Sequence, residues 1–204
     1  MRRKVFTSLL VRGRPPWRGS SSSAELLYLA QTAQRVKARV VGEIGFNAGL
    51  SARAFLEADP DIRVVSFDLC ETRSAPAGRI AKASIDKKYP GRHTLVGGDS
   101  RDTVPKYAAN NPDVRFDVVF IDGGHLYEIA RADIDNMRAL STPETAVIMD
   151  DLVPWFAYGI GPAKAWQDAI DEGVIEQVEV FQDGKPVQKL KPPGLRAWAL
   201  GHYT

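Results

Sequence analysis

The stretch VVGEIGFNAGLSA, residues 40–52, decides how the rest of the chain is read. It runs from a β-branched apolar segment straight into a turn punctuated by Gly45 and Gly49, with Glu43 two residues before the first glycine. A dinucleotide site calls for G-x-G-x-x-G, so that a pyrophosphate can sit on backbone amides at a helix N-terminus. Here the middle glycine is missing, and an acid beside the loop repels a diphosphate. The loop still permits close backbone approach, but by a ligand without a pyrophosphate.

The segments around this loop alternate. Ser20 to Ser23 offer N-cap hydroxyls with Glu25 close behind, as in a capping box, and Ala24 to Val36 carries apolar residues at helical spacing. Arg39 to Ile44 reads as a buried strand, and Leu50 to Ala58 as a helix closed by Asp59-Pro60. Strands follow at Arg63–Phe67, His93–Val96, Phe116–Ile121 and Thr145–Met149. Helices fall between them at Arg79–Lys88, Thr103–Ala109 and Tyr127–Leu140, and Pro162 opens a further helix that Gly173 closes. Val174–Phe181 and Arg196–Leu200 alternate like antiparallel strands, with Asp183-Gly184 as a turn between them. The expected fold is α/β: a Rossmann-like, doubly wound, mostly parallel sheet of about seven strands with an antiparallel C-terminal edge hairpin.

The 204 residues suit one well-buried domain, read as residues 24–204 behind a basic arm at 1–23. That arm holds Arg2, Arg3, Lys4, Arg12, Arg14 and Arg18 and no acid, so the net charge of +2 hides an acidic remainder. A solvated arm, a targeting segment and a phosphate-gripping arm are all compatible with it. The single cysteine, Cys70, excludes an internal disulfide framework and fits the reducing cytoplasm. No apolar run approaches the roughly 20 residues that span a bilayer, so no membrane partner is expected.

Open α/β sheets bind ligands at the carboxyl ends of their strands. Gly45 to Gly49, Asp68, Asp99, Asp122, Asp150 and Asp151 all lie at such ends. Asp68, closing the second strand, suits a ribose diol. Acids around a glycine turn that excludes a diphosphate point to a nucleoside with a cationic tail.

These residues also resemble a known family. E-I-G-F-N-A-G (43–49) looks like the first motif of class I S-adenosylmethionine-dependent methyltransferases, and V-S-F-D-L, G-G-D-S and F-I-D-G-G-H follow in the family's order. F-I-D-G-G-H-L-Y-E, a helix and then A-V-I-M-D-D are similar to small-molecule O-methyltransferases of the methyltransferase 24 type. The resemblance implies S-adenosyl-L-methionine as cofactor. Glu43, Gly45, Asn47 and Gly49 then surround its methionine part, with Phe46 and Ser51 beside them. Asp68, next to Leu69, meets the ribose, Asp99 and Ser100 meet the adenine, and Asp122 lies near the sulfonium and the acceptor.

Related enzymes hold a divalent ion at the ends of the fourth and fifth strands, which here implies Asp122, Asp150 and Asp151 and a hard ion such as Mg²⁺. Asp150 and Asp151 as simple caps of the next segment remain the alternative. His125, four residues past the strongest strand, has the intrinsic basicity of a general base, and Asp122 joins it as a catalytic residue. Trp155, Phe156, Tyr158 and Trp166 either wall an acceptor pocket or pack in the core. The expected acceptor is a small molecule. An RNA acceptor gripped by the basic arm is the weaker alternative, because the N/D-P-P-Y motif is missing. A cofactor-binding protein without transferase activity is a further alternative, and the arm offers a surface for a homodimer.

Overall fold

A computed structural model describes residues 21–71 and 75–204. Most of the basic arm, residues 1–20, lies outside the described residues. One eight-stranded sheet runs through the molecule in the order β3-β2-β1-β4-β5-β8-β6-β7. Its strands are β1 (Val40–Ile44), β2 (Arg63–Asp68), β3 (His93–Gly97), β4 (Val118–Ile121), β5 (Ala146–Met149), β6 (Ile175–Gln182), β7 (Lys185–Pro186) and β8 (Ala197–Tyr203). The first five are parallel, and β8 pairs antiparallel with both β5 and β6. The eighth strand beyond the seven expected is β7, a two-residue pairing across the Asp183-Gly184 turn. The final strand also lies inside the sheet rather than at its rim, between β5 and β6.

The described residues form six α-helices, the first ahead of β1 and the others between strands: α1 (Ser23–Arg35), α2 (Leu50–Ala58), α3 (Ala75–Lys88), α4 (Ser100–Asn110), α5 (Tyr127–Met137) and α6 (Ile160–Asp171). Ser22 caps α1, its hydroxyl accepting from the Glu25 amide while the Glu25 carboxylate accepts from the Ser22 amide. The helix α4 starts three residues before the Thr103 expected. Pro105 argues for a late start, since proline suits a first turn, but the Asp99 side chain accepts from the Arg101 amide and opens the helix earlier. Similarly, α5 ends at Met137 and tightens into a 3₁₀ turn over Arg138–Leu140.

The central strands are apolar on both faces because helices cover both. Along β4, Val118 and Phe120 face one core with Phe55, Leu56, Ile148 and Trp198, while Val119 and Ile121 face the other with Phe67, Ile134, Met137 and Trp166. Each such large side chain contributes about 1.5–3 kcal/mol by leaving water. Trp166 therefore belongs to the core and not to an acceptor wall, and its indole N–H donates to Gln177. No helix among the described residues is long and apolar enough to cross a membrane. What positions the site is the common direction of β1, β2, β3, β4 and β5, which brings their carboxyl ends to one edge.

Candidate functional site

The loop after β1 is built by backbone geometry. Gly45 adopts φ +95°, and its amide donates to the Phe67 carbonyl at 2.8 Å. A side chain at Gly45 would run into the carbonyl oxygen of Asp122, so only glycine lets β1 and β4 end this close together. Asp68 ties the loop down. Its Oδ2 accepts from the Phe46 and Asn47 amides, each at 2.9 Å, and its Oδ1 accepts from the Cys70 amide at 2.7 Å. The result is a shallow cleft lined by Ser21, Gly45, Phe46, Asn47, Ala48, Leu50, Ser51 and Asp122.

The expected cofactor residues divide by depth. Gly45, Asn47 and Ser51 line this cleft. The Phe46 ring turns inward instead and stacks on the His93 ring at 5.0 Å. Leu69 is half-exposed beyond Asp68. Glu43 is fully buried beneath the loop, where its Oε1 accepts from the Ser66 hydroxyl at 2.6 Å. Burial pushes the Glu43 carboxyl up to about 7, against the pull of the Ser66 and Ser51 hydroxyls. At the end of β3, Asp99 caps α4 and pairs with the Arg101 guanidinium, which holds its carboxyl down at about 2.

Beside the cleft, Asp122, His125 and Asp151 bring one ligand atom each within 4.8 Å of one another. His125 Nε2 lies 2.9 Å from Asp151 Oδ2. That hydrogen bond raises the imidazole above its ordinary value, while burial opposes the shift. Asp122 is raised well above the carboxylate range by burial first, then by Asp151, Glu25 and Glu43. Asp151 itself sits at φ +59°, in the left-handed region, and its carboxylate meets His125 in the loop after β4.

The structure composes the acid group differently from the expected triad. Asp150 lies outside the three-residue cluster and is almost fully buried. Burial raises it, and so do the carboxylates of Glu25, Asp122 and Asp151 around it. His125 takes its place in the cluster. Glu25 is fully buried, with the Arg196 guanidinium 3.7 Å from its Oε2. Its sequence signal, an acid at the third position of a helix, announced only a capping box.

A rigid wall closes one side. Phe156 and Tyr158 stack at 5.6 Å with a 5° interplanar angle, and Tyr158 lies 5.7 Å from the His125 ring. The Trp155 indole N–H donates to the Gly194 carbonyl at 2.6 Å, which fastens this loop to the segment before β8. Tyr127 points away, its hydroxyl donating to Asp168. Burial and the neighbouring Asp68 and Glu71 raise the Cys70 thiol, the opposite of an activated nucleophile.

Residues 43–152 match the family model described as a methyltransferase domain, Methyltransf_24. The chain belongs to this methyltransferase family. Among curated proteins none matches it. Solved structures resemble the methyltransferase over nearly its whole length. An O-methyltransferase from Bacillus cereus in complex with SAH is 18% identical, with a TM-score of 0.72 over 98% of this chain and 89% of that one. The O-methyltransferase TomG from Streptomyces achromogenes, involved in tomaymycin synthesis and solved with SAM, is 19% identical, with a TM-score of 0.73 over 98% and 94% of the two chains. Podospora anserina PaMTH1, bound to SAH, is 16% identical, with a TM-score of 0.70 over 98% and 86%. At these identities the likeness is one of fold.

One further acid of the methyltransferase escaped the sequence reading. Asp133 lies on the inward face of α5 among Ala130, Ile134 and Met137 and is fully buried. An acid at a core-facing helical position was the available signal.

Proposed function

We propose that this methyltransferase moves the methyl group of S-adenosyl-L-methionine to an oxygen of a small-molecule acceptor, with His125 as the general base. The observation that carries this reading is the His125–Asp151 hydrogen bond beside Asp122, next to the glycine cleft. The cleft cradles the cofactor through Gly45, Asn47 and Ser51, while Asp68 fixes the cleft and faces the ribose. Asp122 sits where a positively charged sulfonium is favoured, because a half-buried carboxylate among other acids gains by acquiring a cation. His125 Nε2 takes the acceptor proton, and Asp151 orients the ring and stabilises the imidazolium that forms. Alignment of the methyl donor and acceptor supplies much of the rate enhancement.

A divalent ion is a second reading, favoured by the clustering of three ligand atoms. The donor set fits one: two carboxylates and an imidazole, in a group of acids whose mutual repulsion a cation relieves. Asp122 and Asp151 would hold it with His125. Bound there, the ion would orient the acceptor and lower the pKa of its hydroxyl. An imidazole in the set suits a transition metal better than Mg²⁺.

The lone cysteine supports a cytoplasmic enzyme, read as a single domain at 24–204. The test is calorimetric titration with S-adenosylhomocysteine in chelator and then in Mg²⁺ or Mn²⁺. Micromolar binding in chelator that Asp68→Ala abolishes supports the cofactor assignment. A separate saturable heat from the metal, lost in Asp151→Ala, transfers His125 from base to ligand. No binding of the nucleoside in either buffer sinks the reading.

A further inference from the structure

Beneath the loop that ends β1, one hydroxyl joins two ionisable groups that the proposed transfer does not use. Glu43 of β1 is the register partner of Ser66 in β2, and His93 opens β3 beside them. Ser66 Oγ lies 2.6 Å from Glu43 Oε1 and 2.8 Å from His93 Nε2. All three residues are buried. At the two ends of this chain, Glu43 Oε2 and His93 Nδ1 have no hydrogen-bond partner among the described residues. A proton gained at one end is therefore accommodated through the serine and not by a neighbour outside the chain. The far end carries the loop. The His93 ring stacks on the Phe46 ring at 5.0 Å and 23°. A side chain at Gly49 would run into that Phe46 ring, so the glycine leaves room for it. The Phe46 amide donates to Asp68, and its carbonyl accepts from the Gly49 amide at 2.6 Å. The turn bordering the cleft thus hangs on a ring seated against His93.

A serine hydroxyl has one proton to give, so its two partners cannot both receive it. With Glu43 ionised, Ser66 donates to the carboxylate, and the neutral imidazole carries its proton on Nε2 to meet the serine lone pair. With Glu43 protonated, the carboxyl donates from Oε1 to Ser66, Ser66 donates to Nε2, and the imidazole proton sits on Nδ1.

We propose that His93 is a positioning residue for the cofactor loop: the Glu43–Ser66 chain holds its ring against Phe46, and its tautomer follows the protonation of Glu43. The proposal rests on the cofactor reading above and extends it to a histidine outside the cleft. The charges around the chain set where the tautomer changes. Burial pushes the Glu43 carboxyl up to about 7; the Ser66 hydroxyl and Ser51 of α2 oppose the rise, and Asp68 at the end of β2 adds to it. Asp122, past β4, is the further acid that repels Glu43. On the histidine side, burial brings the imidazole down to about 4; Lys82 of α3 lowers it further, and Asp86 of the same helix raises it. His93 therefore stays neutral while Glu43 titrates, and only the place of its proton changes.

The experiment records the ring-nitrogen NMR signals of the histidines at pH 6 and pH 8 and titrates S-adenosylhomocysteine by calorimetry. The His93 signals are those lost in His93→Phe. In the wild type, His93 is expected to change from the Nδ1–H to the Nε2–H tautomer between the two pH values without becoming charged. Glu43→Gln cannot ionise and is expected to hold the Nε2–H form at both. His93→Ala is expected to weaken S-adenosylhomocysteine by roughly threefold to tenfold, the weight of one aromatic pair. His93→Phe keeps a ring against Phe46 and restores most of that affinity, whereas His93→Gln keeps a donor for Ser66 but no ring and does not. One tautomer at both pH values in the wild type, a measurement that needs no substitution, overturns the chain. Full affinity in His93→Ala overturns the positioning role. Either result leaves the cofactor reading standing, whereas no binding by the wild type removes both.

Discussion

His125 and Asp151 leave their strands at different places in the chain, one after β4 and the other after β5, yet Nε2 and Oδ2 meet at 2.9 Å. The pairing makes the imidazole more basic, so as the proposed general base His125 becomes available only at higher pH. Only neutral imidazole accepts a proton, so turnover rises with pH through a midpoint above the ordinary histidine value. Replacing Asp151 by Asn removes the interaction that raises His125, and the midpoint of kcat/KM against pH moves down. His125→Gln is expected to cost about a hundredfold or more in kcat with little change in cofactor affinity. A pH–rate profile of both variants measures this; an unmoved midpoint in Asp151→Asn assigns the ionisation to another group. The stability linkage has the matching sign. The pair stabilises the fold below the ordinary histidine value and loses that contribution as pH rises through the folded value, and the effect is small because His125 is largely exposed.

Asp68 has a structural task besides any contact with ribose. It accepts three backbone amides at the turn, and Asp68→Ala leaves them without their partner. The expected loss is about 1–3 kcal/mol of stability together with at least tenfold in nucleoside affinity. Asp68→Asn keeps the shape and one acceptor oxygen, and recovers part of both. Thermal melts paired with titration separate the two effects.

Glu43 makes stability pH-dependent in the direction opposite to a salt-bridged carboxylate. Its folded value is raised from 4.5 to about 7, so the folded state holds a proton that the unfolded chain releases. Stability contributed by the protonated form is present below 4.5 and is lost as pH climbs to about 7, by about 3 kcal/mol in all. Glu43→Gln keeps an oxygen for the Ser66 hydroxyl and cannot ionise. Urea unfolding at pH 5 and pH 8 is expected to show a flatter profile for this variant, with the gain over wild type at pH 8.

Asp122 carries a stability cost at the place proposed for the sulfonium. Burial and the surrounding acids oppose its ionisation, and Asp122→Asn removes that repulsion. The ligand-free variant is expected to be more stable by about 1–2 kcal/mol and to lose turnover. If it melts below the wild type instead, Asp122 holds the turn through contacts that a charge-neutral isostere does not reproduce.

Much of this was readable in advance where local chemistry is decisive. Gly49 and the Asp59-Pro60 breaker bound α2 at the residues expected, and acids at the ends of β2, β3, β4 and β5 mark the edge that carries the candidate site. The helix α4 starts ahead of the expected Thr103 because the Asp99 side chain caps it at Ser100, with Pro105 accommodated inside. Asp133 and Glu25 were missed because a buried acid is indistinguishable from a solvated one until the packing around it is known. The meeting of His125 with Asp122 and Asp151 is a tertiary arrangement across two loops, and the left-handed backbone at Asp151 is likewise one that no spacing rule anticipates for a non-glycine residue.

The place of β8 ties the site to a distant part of the sequence. That strand sits in the interior of the sheet between β5 and β6, and the Leu152 amide, just past the two aspartates, donates to the Ala197 carbonyl at its start. Without β8 the end of β5 that carries Asp150 and Asp151 has an open flank, so substitutions that loosen β8 reach the acids without touching them.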